Sequence, residues 1–174
     1  LKDGSVREYA QPMAVIDIAK DISEGLARNV CAATVNGEGV DIRTVIDKDS
    51  TLVLHTFDDQ EGKAAFWHTT SHILAQAVKR LFPETKLAIG PSIAEGFYYD
   101  FDRPDSFTAD DLTALEAEMK KIVKENLALE RFTLPRDEAI KFMQEKEEPY
   151  KVELIEDLPE DAEISFYRQG EYVD

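Results

Sequence analysis

The sequence predicts an α+β protein in two parts: a small mixed-sheet unit over residues 1–58 and a larger unit over residues 59–174 with an antiparallel sheet and long helices. Three observations carry that expectation. Turn signals at Asp3-Gly4 and Asn36-Gly37 divide the opening residues into short β-rich runs around one amphipathic stretch. A polar joint, DDQEG (Asp58 to Gly62), then precedes FWHTTSHILAQAVKRLF, a run with helical periodicity. Beyond it, helical segments mix with strands separated by turn residues, the pattern of α+β folds.

Taken in order, LKDG and SVREYA flank a D-G turn and predict a hairpin. AVIDIAKDIS, Ala14 to Ser23, has apolar residues at helical spacing, with Gly25 placed to end the helix. CAATVNGEGVDIRT predicts strand, turn and strand around Asn36-Gly37, and TLVLHTF is a β-rich run to close the sheet. The order β-β-α-β-β-β describes a β-grasp. After the joint, a helix is expected over roughly residues 60–82. KLAIGPSIAEGFYYDFD reads as strand, Gly-Pro turn, strand. FTADDLTALEAEMKKIVKENLALE is a long amphipathic helix with Thr108 as its N-cap and Asp110 and Asp111 in the first turn, where the helix dipole favours them. ERFTLPRDEAIKFMQEK predicts a strand and then a helix opened by Pro135. YKVELIEDL and ISFYRQGEYVD complete the segment. Both ends look like cuts through a longer protein, since the chain starts at Leu1 without a methionine and stops at Asp174 straight after a strand-like run.

Composition narrows the function. The lone cysteine, Cys31, cannot form an internal disulfide and reads as a small buried apolar group of a protein in a reducing compartment. Cysteine-rich metal clusters are excluded by count. No apolar run is long enough for a bilayer, and no signal-peptide pattern opens the chain. The net charge of −16 argues against broad nucleic-acid binding. Locally the balance reverses: Lys63, Lys79, Arg80 and Lys86 face only Glu84 between positions 63 and 86. Lys79 and Arg80 are therefore the candidate contacts for a polyanion.

Of the three histidines, two, His68 and His72, stand one helical turn apart. On a wheel of about 100° per residue, Phe66, Trp67, Ile73, Leu74, Ala77, Val78 and Leu81 gather on one face; His68, His72 and Lys79 fall opposite, within roughly 40° of one another. The pair could be solvated or core imidazoles. It could chelate a metal, but Thr-Thr-Ser intervenes where H-E-x-x-H carries its glutamate, and two ligands make an incomplete site. It could also bind a substrate and position water beside Lys79 and Arg80, since imidazole donates, accepts and changes charge near neutral pH. Ser71 and Thr69 lack the surroundings of an activated nucleophile.

HTTSH in an amphipathic helix, KLAIGPSIAEGFYYDFD, YKVELI and EYVD together resemble the second N-terminal domain of bacterial threonyl-tRNA synthetases. A related module occurs in alanyl-tRNA synthetases and in free-standing deacylases. The preceding unit resembles a TGS domain, the β-grasp module also found in stringent-response synthetases and Obg-type GTPases. The resemblance covers essentially the whole chain. It implies a ligase fragment that carries post-transfer editing, the hydrolysis of mischarged Ser-tRNA(Thr), with the aminoacylating core absent. His68 and His72 then match the family's editing histidines, Lys151 its lysine, and Tyr99 and Asp174 the residues that bind the amino acid. The implied partner is tRNA(Thr), the implied location cytoplasmic, and no cofactor is expected here, ATP and zinc belonging to the core. Dimerisation is expected through parts outside the chain, as is a Cys-x-x-x-His element that follows EYVD in the family. Two other readings stay open: a non-catalytic TGS-containing module that binds RNA or a ligand, and a zinc-dependent deacylase of the alanyl type.

Overall fold

The computed structural model describes residues 1–174 as a mixed α+β chain. It divides into two compact units: residues 1–69 with 92–96, and residues 70–91 with 97–174.

In the first unit the expected opening hairpin does not form. The D-G turn is present, with Gly4 donating its N–H to the Leu1 carbonyl at 2.9 Å, but no strand follows until β1 (Met13–Ala14). Arg7 and Tyr9 instead bind the Asp21 carboxylate at 2.8 and 3.0 Å, so side chains tie this segment to the helix in place of a ladder. That helix, α1 (Val15–Ile22), buries Val15, Ile18 and Ala19 at the i, i+3, i+4 spacing of one face. It is Ser23, not Gly25, that ends it. The Ser23 backbone is extended, and its hydroxyl accepts the Leu26 N–H to cap a second helix, α2 (Glu24–Asn29), which contains Gly25.

The turn between β2 (Val30–Val35) and β3 (Glu38–Val40) is as expected. Asn36 and Gly37 take φ of 51° and 87°, the paired left-handed conformations that match a hairpin's twist. β4 (Val45–Ile46) pairs with β1, and β5 (Leu52–Thr56) pairs antiparallel with β2, giving a three-stranded sheet β3-β2-β5 and a separate two-stranded one. Only one strand precedes the helices, not two. Val15, Ile18, Ala33 and Leu52 form the core. His55 is buried with its Nε2 2.7 Å from the Thr34 hydroxyl, a structural role within this sheet. Cys31 is only half-buried: it is the unpaired residue at a break in the β2–β5 register between Val30 and Ala32, which takes it out of the regular alternation.

α3 (Gln60–Leu81) begins in the polar joint and supplies residues to both units. In the second unit its Ala77 and Val78 pack against Leu115 and Ile122 of α4 (Ala109–Glu125). A capping box between Thr108 and Asp111 starts α4, and Asn126 at φ 49° stops it, earlier than the sequence pattern suggested. Between α3 and α4 lie four two-residue strands: β6 (Lys86–Leu87), β7 (Ser92–Ile93), β8 (Gly96–Phe97) and β9 (Phe101–Asp102). β6 pairs with β9 and β7 with β8, so the reversal falls at Ala94-Glu95 and not at Gly90-Pro91.

β10 (Leu129–Pro135), α5 (Arg136–Glu145), α6 (Pro149–Glu156), β11 (Glu163–Gln169) and β12 (Tyr172–Val173) complete the unit, with sheet order β10-β11-β12. Ala139, Met143, Ile155 and Phe166 bury one side of this sheet under α5 and α6. Each fully buried side chain of the size of Met143 contributes about 1.5–3 kcal/mol.

Candidate functional site

In a strand, residues two apart share a face. Phe166 and Val173 turn toward α5 and α6. Tyr172 and Asp174 therefore turn the other way, as does Tyr167, which exchanges both backbone hydrogen bonds with Asp174 (2.7 and 3.0 Å). His72 lies on that side, its ring edge-on to Tyr167 and Tyr172 at 6.2 and 6.1 Å. The wheel put His72 opposite the apolar face of α3, and the structure shows this second face covered too. Ser71 and Ala75 are both fully buried, and their small size lets Leu87 and Tyr172 approach the helix closely.

Asp174 is the centre of the arrangement. Its Oδ1 is 2.5 Å from the Lys151 ammonium, and its Oδ2 accepts from the Tyr99 and Tyr172 hydroxyls at 2.5 and 2.8 Å. The His72 Nε2 stands 3.8 Å from the same Oδ2. The Lys151 ammonium also sits 5.3 Å from the centre of the Tyr99 ring. His68 is exposed one turn earlier on α3.

Electrostatics follow from this packing. Burial works against the Asp174 charge most strongly, but the Lys151 and His72 charges and the hydrogen bonds from Lys151 and Tyr99 together hold its pKa below the ordinary carboxylate value. Burial, and then the Asp174 charge, push Tyr99 and Tyr172 well above the usual phenol range, so both remain hydroxyl donors. A depressed carboxylate pKa adds stability that is present above its unfolded value and is lost as pH falls through the folded one. Acid titration of the melting temperature should therefore show a downward limb below the ordinary carboxylate range, and Asp174→Asn should flatten it.

Gly90 belongs to this arrangement, although the sequence pattern marks it only as part of a turn. Its carbonyl accepts the Ser71 hydroxyl at 2.9 Å, and a Cβ there would fall 2.0 Å from a Tyr99 ring carbon. Tyr99 is thus clamped between the Gly90 backbone and Phe101, on which it stacks at 4.7 Å. Gly90→Ala must displace the ring, and we expect a loss of about 1–3 kcal/mol in urea unfolding, as for overpacked cores. Ser71, buried and bonded to that carbonyl, is a structural hydroxyl. Tyr172 is a further site residue absent from the sequence candidates, yet it sits two residues before Asp174 on the same face of β12, a period-2 signal present in EYVD.

Lys79 and Arg80, the sequence candidates for a polyanion, are engaged inside the chain. Lys79 pairs with Glu148 at 2.7 Å, and Arg80 makes a fork with Glu125 at 2.7 and 2.8 Å and reaches Glu118 at 3.1 Å. These carboxylates lie far along the sequence, where a local charge count does not see them. No three His, Cys, Asp or Glu side chains gather in a metal-holding geometry.

What this arrangement offers is a buried carboxylate ringed by an ammonium, an imidazole and two phenols, all groups able to hold a polar substrate and a water. It stands in a chain whose first residues form a β unit of the TGS class: residues 1–56 match the TGS domain family. Across all 174 residues the chain is 62% identical to a threonine–tRNA ligase of Acetivibrio thermocellus, 63% to one of Clostridium botulinum and 60% to one of Clostridioides difficile. It belongs to the threonyl-tRNA synthetase family as an N-terminal portion, and it spans 27% of the length of these relatives.

Proposed function

We propose that this chain is the proofreading portion of a threonine–tRNA ligase, which hydrolyses the ester of mischarged Ser-tRNA(Thr). Residues 59–174 form the hydrolytic domain and residues 1–58 the TGS domain. The observation that carries this reading is the convergence of Tyr99, Lys151 and His72, from three separate segments, on the buried Asp174 carboxylate.

Serine and threonine differ by one methyl, which a single pocket discriminates by only about 1–3 kcal/mol. A second, hydrolytic selection raises fidelity beyond that. Ester hydrolysis needs a placed water, a proton acceptor and stabilisation of the developing oxyanion. In this proposal His68 and His72 hold the terminal adenosine and the water. The water oxygen attacks the ester carbonyl, and the Lys151 ammonium stabilises the resulting oxyanion. The proton that the attacking water gives up passes by way of the His72 imidazole to the departing ribose oxygen, and serine is released. Asp174 and Tyr99 bind the seryl ammonium and hydroxyl. No step of this proposal is routed through a metal.

By likeness to the threonine–tRNA ligases, ATP-dependent aminoacylation, zinc and dimerisation belong to parts of the enzyme outside this chain, and its location is cytoplasmic. No helix of this chain is long and apolar enough to cross a membrane. Lys79 and Arg80 are left out of the proposed tRNA surface, their charges being answered internally. The test is hydrolysis of Ser-tRNA(Thr) and Thr-tRNA(Thr) by the intact enzyme. Serine should be released and threonine spared; release of serine no faster than in buffer would overturn the assignment.

A further inference from the structure

The proposed chemistry leaves out two charged groups of the second unit that pair with each other, a buried carboxylate and a part-exposed ammonium. Glu148 is only 5% exposed, and both its oxygens are used: Oε1 lies 2.7 Å from the Lys79 ammonium, and Oε2 accepts the Leu87 N–H at 2.8 Å. Lys79 spends its other two donors on the carbonyls of Pro83 and Thr85, at 3.2 and 3.0 Å. An ion pair with one buried partner is a weak source of net stability, because desolvation of the buried charge offsets the attraction. Its span across separate segments gives it a geometric task.

We propose that the Lys79–Glu148 pair is a positioning device that fixes Lys151 against Asp174 for the proposed hydrolysis. This inference rests on the proofreading reading. Glu148 immediately precedes α6, and its carbonyl accepts the Val152 N–H at 3.2 Å, so it forms the helix's entry. Glu147, at φ 57°, turns the chain sharply into that position. Lys151 follows three residues later. At about 100° per residue, a slip of one position at the entry would swing Lys151 away from Asp174.

Two further anchors tie the pair to the site. Lys79 lies on α3 two turns beyond His72, and the Leu87 N–H belongs to β6, whose partner β9 carries Phe101, the ring on which Tyr99 stacks. One carboxylate thus joins α3, the β6–β9 pair and α6, the elements that deliver or brace His72, Tyr99 and Lys151. Lys79 and Glu148 act through Lys151 and are not themselves catalytic.

The experiment uses Glu148→Gln and Lys79→Met in the intact enzyme, with Lys151→Ala as reference and Ser-tRNA(Thr) hydrolysis as the assay. A purely structural pair would reduce the folded fraction and leave the rate per folded site unchanged. Positioning predicts a kcat for hydrolysis lowered about 10–100-fold, the scale of an ångström of misplacement, with KM within about twofold. It also predicts faster labelling of Lys151 by an amine-directed acylating reagent, read by mass spectrometry, and partial recovery in Lys79→Arg. Aminoacylation should be unaffected. Should either single variant fail to fold, Lys79→Met/Glu148→Gln, which leaves no unpaired buried charge, is measured in its place with the same outcomes expected. Wild-type kcat and Lys151 labelling in the folded variants, with Lys151→Ala inactive, overturn the inference. Full hydrolysis by Lys151→Ala overturns the proofreading reading beneath it.

Discussion

Lys151→Ala in the intact enzyme should slow Ser-tRNA(Thr) hydrolysis by about 10²–10³-fold, the usual cost of removing one preorganised group that stabilises an oxyanion. Two features make the effect large. The Lys151 side chain is only 16% exposed, so the field of its charge is weakly screened, and the ammonium is held at a fixed place by the Asp174 Oδ1. His72→Ala should cost a similar factor, within the roughly 10²–10⁴ attributed to positioned acid–base groups. Aminoacylation serves as the internal control, because the loss should be confined to hydrolysis. Both substitutions leaving the hydrolysis rate intact would remove the mechanism.

Stability should respond as sharply as activity. Lys151→Met deletes the cation and leaves the Asp174 carboxylate, with 7% of its side chain exposed, facing only phenols and an imidazole. Removing one partner of a buried pair typically costs about 3–5 kcal/mol, most of it the cost of the stranded charge. Lys151→Met combined with Asp174→Asn should recover much of that loss, since both charges are then gone. Urea unfolding of the three variants at neutral pH measures the difference. A double variant no more stable than the single would show that the stranded charge is not what destabilises.

The elements most legible in the sequence were those written in local chemistry. Asn36-Gly37 specified its turn, and Thr108 with Asp111 specified a helix start. What misled was also local. Asp3-Gly4 is a turn, but the residues after it find their partner in the side chain of Asp21 and not in a neighbouring strand. Gly25 looked like a terminator, whereas the Ser23 hydroxyl begins a new helix at that point. Gly90-Pro91 looked like a reversal that the structure makes at Ala94-Glu95.

The candidate site divides along the same line. The spacing of His68 and His72 can be read from one helix, but nothing local marks Tyr99, Lys151 and Asp174 as neighbours. They came from resemblance, because only the tertiary fold joins segments so far apart. Gly90 was missed for a related reason: its lack of a side chain matters only once the Tyr99 ring lies against it. Lys79 was singled out as a surface cation because its counter-charge, Glu148, is a long way down the chain.

The pairing of Tyr167 with Asp174 across the β11–β12 hairpin has an evolutionary consequence. Side chains alternate sides along a strand, so a one-residue insertion or deletion between Gln169 and Tyr172 would turn the carboxylate onto the helix-covered side of the sheet. The connection is constrained in its residues, since Gly170 takes a φ of 61°, and also in its length, since a change by an odd number would turn that acid away from the lysine.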